Sequence, residues 1–161
     1  MTDAPKAITL ENDPLAAYCF SPAWQVGGLL FLSGQASIGT DGSIVGAGDF
    51  DAQLAQTFAN IERVLAAGGS DLSKVVKVTI YLTDIANFPK IVEARQRWFT
   101  PPYPADTTVE VRSLALPELM VEVGSFPGEG LRGHMEINRK LGEPDYPATP
   151  VVDAWLKKVL G

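Results

Sequence analysis

The sequence predicts an α+β domain, a mixed β-sheet with two helices packed on one of its faces. Segments of strand and helix character follow one another as two or three strands, helix, strand, helix, two strands, and helices placed between strands in this way cover one side of a sheet. The helical stretch over 49–67 carries Leu54, Phe58, Ile61 and Leu65 on one side at helical spacing. The stretch over 73–82 alternates Val76, Val78, Ile80 and Leu82 with Lys77, Thr79 and Tyr81, as a strand does. The 161 residues suit a single domain, 1–161, with a core over about 14–127 and a C-terminal extension over 128–161.

Taken in order, residues 1–14 form an arm or a first short strand. Tyr18 to Trp24 and Leu29 to Gly34 read as strands joined through Val26-Gly27-Gly28, a turn signal. Thr40-Asp41-Gly42-Ser43 is a further turn, followed by a brief Ile44-Val45 strand. Asp49 or Asp51 caps the first helix and Gly68-Gly69 stops it. Its Gln53, Gln56, Asn60 and Arg63 fall largely off the apolar stripe. Asp84 to Asn87 turns into a second helix, with Pro89 in its first turn and Ile91, Ala94 and Trp98 inward. Thr100-Pro101-Pro102-Tyr103-Pro104 ends it.

The stretch from Pro104 to Val123 reads as two strands, Thr107 to Arg112 and Leu119 to Val123, linked at Pro117-Glu118. Alternation puts Thr107, Val109 and Val111 together, on the face assigned to the core. Asp106, Thr108, Glu110 and Arg112 oppose them. Leu119, Val121 and Val123 oppose Met120 and Glu122. A sheet face bearing Tyr81, Met120, Glu110 and Glu122 calls for cover by another subunit, so an oligomer is expected. After Ser125 glycine and proline mark an irregular tail, then a short helix over Thr149–Leu160.

Composition narrows the chemistry. A net charge of −6 without a basic run disfavours nucleic acid as a partner, since such affinity rests on neutralising phosphates. Cys19 is the sole cysteine, so an intrachain disulfide and a thiolate zinc cluster are excluded; it reads as a small buried residue. His134, the sole histidine, reads as an exposed loop residue, so no metal site is expected. No phosphate loop or dinucleotide fingerprint occurs, and no cofactor is implied. The polar MTDAPKAITLENDP start and the lack of a long apolar run point to a cytoplasmic protein with no membrane partner. Gly34 either relieves strand strain or lets a ligand approach the backbone. Glu110 reads as a structural ion pair, with Arg112, Lys77 or an amide as partner. Glu122 stays open as a water-positioning group.

Several of these segments together resemble the RidA/YjgF proteins, the L-PSP endoribonuclease-like family, over roughly 14–127. The carriers are Ser33-Gly34-Gln35, Asn60 to Gly69 (NIERVLAAGG), Asp71 to Lys77 (DLSKVVK), Tyr81-Leu82-Thr83-Asp84, the Pro104-Ala105 step and Leu116-Pro117. The resemblance implies a chorismate-mutase-like fold and a homotrimer with small-molecule clefts between subunits. It also implies hydrolysis of reactive imine or enamine acids to keto acids and ammonia. It makes Glu122 the acid that holds the attacking water, places Tyr18 in the cleft wall and gives Ser33 and Gly34 backbone contacts. Thr108 stands where the family has cysteine or threonine. Asp106 stands where family deaminases carry the arginine that grips the substrate carboxylate, and Val92 replaces an asparagine.

Three accounts of Asp106 follow. It inverts the charge of the anchor, it caps the turn after Pro104, or another arginine (Arg112, Arg132 or Arg139) serves instead. The expected function is hydrolysis of an imine, enamine or related amine-bearing metabolite other than the usual 2-imino acids. A non-catalytic ligand-binding or regulatory trimer is the alternative, and an RNA-cleaving role ranks last.

Overall fold

The computed structural model describes residues 4–127, all within one compact unit. The extension from 128, with its expected helix over Thr149–Leu160, lies outside the described residues. Among the described residues there are seven strands and two α-helices: β1 (Lys6–Ile8), β2 (Ala23–Val26), β3 (Leu29–Leu32), β4 (Gln35–Ala36), α1 (Phe50–Ala67), β5 (Val75–Leu82), α2 (Phe88–Trp98), β6 (Ala105–Glu110) and β7 (Val121–Pro127).

The hairpin between β2 and β3 forms where the sequence placed it. Gly27 and Gly28 both take positive φ, 54° and 83°, the geometry whose twist matches flanking strands. β2 nevertheless starts at Ala23 rather than Tyr18. Residues Ala16–Tyr18 make one helical turn, opened by the Asp13 carboxylate accepting from Leu15 N–H and closed by Cys19 at φ 61°. That left-handed residue leaves the Cys19 side chain exposed, against its expected burial.

The expected single sheet is two ladders. β1-β2-β3 is antiparallel throughout, while β4-β7-β5-β6 is mixed, with β5 and β6 parallel. The change of ladder falls at Ser33-Gly34, between β3 and β4. β7 also runs on to Pro127, past the Val123 end expected for it, because it pairs with β5 as far as Val75.

α1 begins as its sequence dictates: Asp49 accepts from Asp51 N–H at 3.0 Å and Ala52 N–H at 3.1 Å, two of the donors a helix start leaves open. Its apolar stripe joins Val78, Ile80, Leu82, Val121, Val123, Ile91 and Ala94 in one core. Phe58 stacks on Trp98 of α2 at 4.2 Å between ring centroids, so both helices close over the same sheet face. Gln53 and Asn60 fall off that stripe, as the sequence has them, and Thr57 lies with them. They recur with Val64 at helical spacing as a second stripe, and all are buried.

The largest correction concerns β6. Alternation grouped its residues properly but assigned the wrong side to each group. The parallel register pairs Asp106 with Val78 and Thr108 with Ile80, so these two face the helices. Thr107 and Val109 pair with Thr79 and Tyr81 on the opposite face, and Val109 is 38% exposed. Glu110 pairs with Leu82 and Glu122 with Tyr81, so the two glutamates do not share a face. Glu110 accepts from the backbone N–H of Ile85 at 2.9 Å, an amide partner as one of the sequence alternatives had it.

Candidate active site around Glu122

Register decides where the β7 carboxylate goes. Residues of β7 whose neighbours Val121 and Val123 are buried must alternate outward, and Glu122 does so opposite Ala36 of β4. It reaches a cleft of about 390 Å³. Its lining draws on three stretches of the chain: Ala36 and Ile38; Ala115, Leu116 and Leu119; and Leu15, Tyr18 and Phe20. Ser33 and Gly34 complete the lining. Tyr18 and Phe20 are 58% and 42% exposed, large rings held at the cleft without full cover.

Gly34 has a steric reason to be glycine. A Cβ added there would lie 2.8 Å from Glu122 Cδ and closer still to Oε1. The carboxyl group thus rests directly over the Gly34 backbone, in the space a side chain would take. Burial among apolar walls pushes the Glu122 carboxyl above the usual carboxylate range. A carboxyl raised in this way is suited to both accept and return a proton.

Ser33 serves the cleft from beneath. Its N–H donates to Pro22 carbonyl at 3.0 Å and its hydroxyl donates to Ser21 carbonyl at 2.7 Å, which fixes the segment that follows Tyr18 and Phe20. Both of its donors are thereby committed within the protein, so the backbone contact expected of it cannot come from its N–H. Its carbonyl accepts from Gln35 Nε2 at 3.1 Å.

Tyr18, Ser33, Gly34 and Glu122 are therefore brought together, and Asp106 and Thr108 are not. They sit across the sheet, on the helix side of β6. There Asp106 receives a bidentate pair from Arg95 of α2: Nη2 to Oδ1 at 2.7 Å and Nε to Oδ2 at 3.1 Å. Thr108 joins them, accepting from Arg95 Nη2 at 2.9 Å and donating to Asp106 Oδ1 at 2.8 Å. The guanidinium also lies 5.4 Å from the Phe88 ring centroid. Asp106 thus offers no bare negative charge, and among the described residues it caps no backbone N–H.

Sequence reasoning passed over Arg95, although its spacing of four from buried Ile91 aimed it at the sheet. Gln53 and Asn60 were passed over likewise, and their spacing with Thr57 and Val64 was the available signal. Among the described residues, no group of three or more His, Cys, Asp or Glu could hold a metal ion, and no helix is long and apolar enough to cross a membrane.

Comparison with known proteins agrees with this architecture. The family model for endoribonuclease L-PSP matches residues 10–126. Protein DfrA of Myxococcus xanthus is 41% identical over 113 residues, which cover 69% of this chain and 86% of that protein. A 2-iminobutanoate/2-iminopropanoate deaminase of Dermatophagoides farinae is 34% identical, over 69% of this chain and 88% of its own. The crystal structure of the Rid-family protein YyfA of Yersinia pestis superposes with a TM-score of 0.72 at 34% identity, covering 78% of this chain and 99% of that one.

Proposed function

The chain belongs to the endoribonuclease L-PSP family, the RidA/YjgF proteins, and on that footing we propose that it hydrolyses a small imine or enamine of low charge in clefts between the subunits of a homotrimer. One observation carries the reading: a carboxyl group with raised proton affinity, held over a glycine in an apolar cleft. In this reading Glu122 as carboxylate takes a proton from water as the oxygen attacks the C=N carbon. It then returns the proton to nitrogen, and the carbinolamine collapses to a carbonyl compound and ammonia. Water supplies every atom added, so no cofactor is required. The apolar walls favour a substrate with a hydrocarbon body, and they strengthen the electrostatics at its polar end.

The charge of the lining refines the substrate class. The described lining of the cleft carries Glu122 and no arginine or lysine that could pair with a substrate carboxylate, so the usual 2-imino acids are expected to be poor substrates. The lack of a cationic anchor in that lining also favours a second reading, a trimer that binds a ligand without turnover. The partly exposed face formed by Thr79, Tyr81, Thr107 and Val109 supports assembly.

Ammonia release from a panel of freshly generated imines, neutral and acidic, tests the proposal. Turnover of neutral imines, lost in Glu122→Ala, is the expected result. No release across the panel, with retained binding of the same compounds, would replace it by the second reading. A stable monomer at micromolar concentration in light scattering would remove the intersubunit cleft.

A further inference from the structure

Two buried amides of α1 hold two separate stretches of the cleft lining. Gln53 is fully buried; its Nε2 donates to Glu118 carbonyl at 2.8 Å and its Oε1 accepts from Met120 N–H at 2.8 Å. Residues 116–120 lie outside any strand, so one side chain supplies the pair of bonds a neighbouring strand would give. Leu119, between the two bonded residues, is part of the cleft wall. Asn60 is 7% exposed, and its Nδ2 donates to the carbonyls of Ala36 at 2.9 Å and Ile38 at 2.8 Å, both of which line the cleft. Its Oδ1 accepts from Gln56 Nε2 at 3.0 Å, which fixes the orientation of the amide. Seven residues, close to two helical turns, separate Gln53 from Asn60, so both point from one side of α1.

Glu122 lies between what these amides hold. It follows Met120 by two residues and stands opposite Ala36 in the β4–β7 register. Burying a primary amide is unfavourable unless it is bonded, and each of these is bonded to cleft backbone. Thr57, on the same stripe, marks the contrast: its buried hydroxyl has no hydrogen-bond partner among the described residues.

We propose that Gln53 and Asn60 are positioning residues for Glu122. They fix the two lining segments that flank Glu122, and with them the burial of its carboxyl. The inference rests on reading the Glu122 cleft as the reacting site, but its test is a titration and does not require turnover. Carboxyl-carbon NMR follows Glu122 across pH, with a blocked glutamate in the same buffer as reference. Gln53→Met and Asn60→Ala are expected to move the Glu122 midpoint down toward that of an ordinary glutamate as water enters. Thr57→Val, on the same stripe but with no bond to either segment, is expected to leave it in place. Should Gln53→Met fail to fold, Gln56→Ala loosens Asn60 from the less buried side, and the same downward movement is expected. An unchanged Glu122 midpoint in the folded variants, or an equal movement in Thr57→Val, would overturn the proposal. Failure of the functional reading is seen separately, as absence of ammonia release by the wild type.

Discussion

Gly34→Ala isolates the role of the Glu122 carboxyl with one methyl group. Gly34 needs no left-handed backbone, since its φ lies outside the range that favours glycine, so alanine introduces no strain of that kind. The added carbon would lie 2.8 Å from Glu122 Cδ, where two carbons prefer about 3.5–4.0 Å. The carboxyl must therefore retreat by roughly 1 Å. Because the obstacle is the end of a flexible side chain, the stability cost is that of an off-rotamer χ, about 0.5–1.5 kcal/mol. The functional cost is larger, since roughly 1 Å of misplacement can lower a rate about 100-fold. The expected outcome is a near-normal thermal midpoint together with about a 100-fold loss of imine hydrolysis. Adding the methyl to Glu122→Ala, where nothing obstructs it, should then change little. Wild-type turnover in Gly34→Ala would refute the argument, because the carboxyl could not occupy its present place.

Two further outcomes follow from the charges. Glu122→Gln should raise the thermal midpoint at neutral pH: the folded carboxyl holds its proton more tightly than the unfolded one, so stability falls as pH rises through that interval. The advantage over wild type should shrink on acidification, and a thermal-midpoint series over pH with no such convergence would remove burial as the cause. Asp106→Asn and Arg95→Met should each destabilise by about 1–2 kcal/mol, since each leaves a partly buried charge short of its partner. The double variant should lose clearly less than the two together, and additivity in urea unfolding would show that the pair is not coupled.

Much of the fold was legible because its signals are local. Asp49 sits one residue before the helix it caps, Gly27-Gly28 fills the turn between two strands, and 75–82 alternates cleanly apart from Val76. Val76 is exposed because the β5–β7 register shifts between Val75 and Lys77, an irregularity that alternation cannot foresee. The same limit explains β6. Period two tells which residues share a face, but the side is chosen by the neighbouring strand. β6 lies at the edge of its ladder, so neither of its faces is strongly apolar. Asp106 looked like an isolated charge because its partner lies on another element, eleven residues earlier. Glu122, Gly34, Ser33 and Tyr18 were legible through resemblance to a family; their convergence needed the register of β4 against β7. The buried amides were hidden by composition, because glutamine and asparagine on a helix ordinarily face water.

The Gln53 clamp grips only main-chain atoms of Glu118 and Met120, and the Asn60 clamp only those of Ala36 and Ile38. No side chain of the lining takes part in either. Replacing the side chain of Leu116, Leu119 or Ile38 therefore removes no bond of either clamp, although Leu119 and Ile38 are buried and their replacement costs packing. Choice of ligand and placement of the reacting group are separable here: one is written in replaceable lining, the other in a helix behind it. A library varying those three lining positions would test whether ligand preference changes while both clamps keep their bonds.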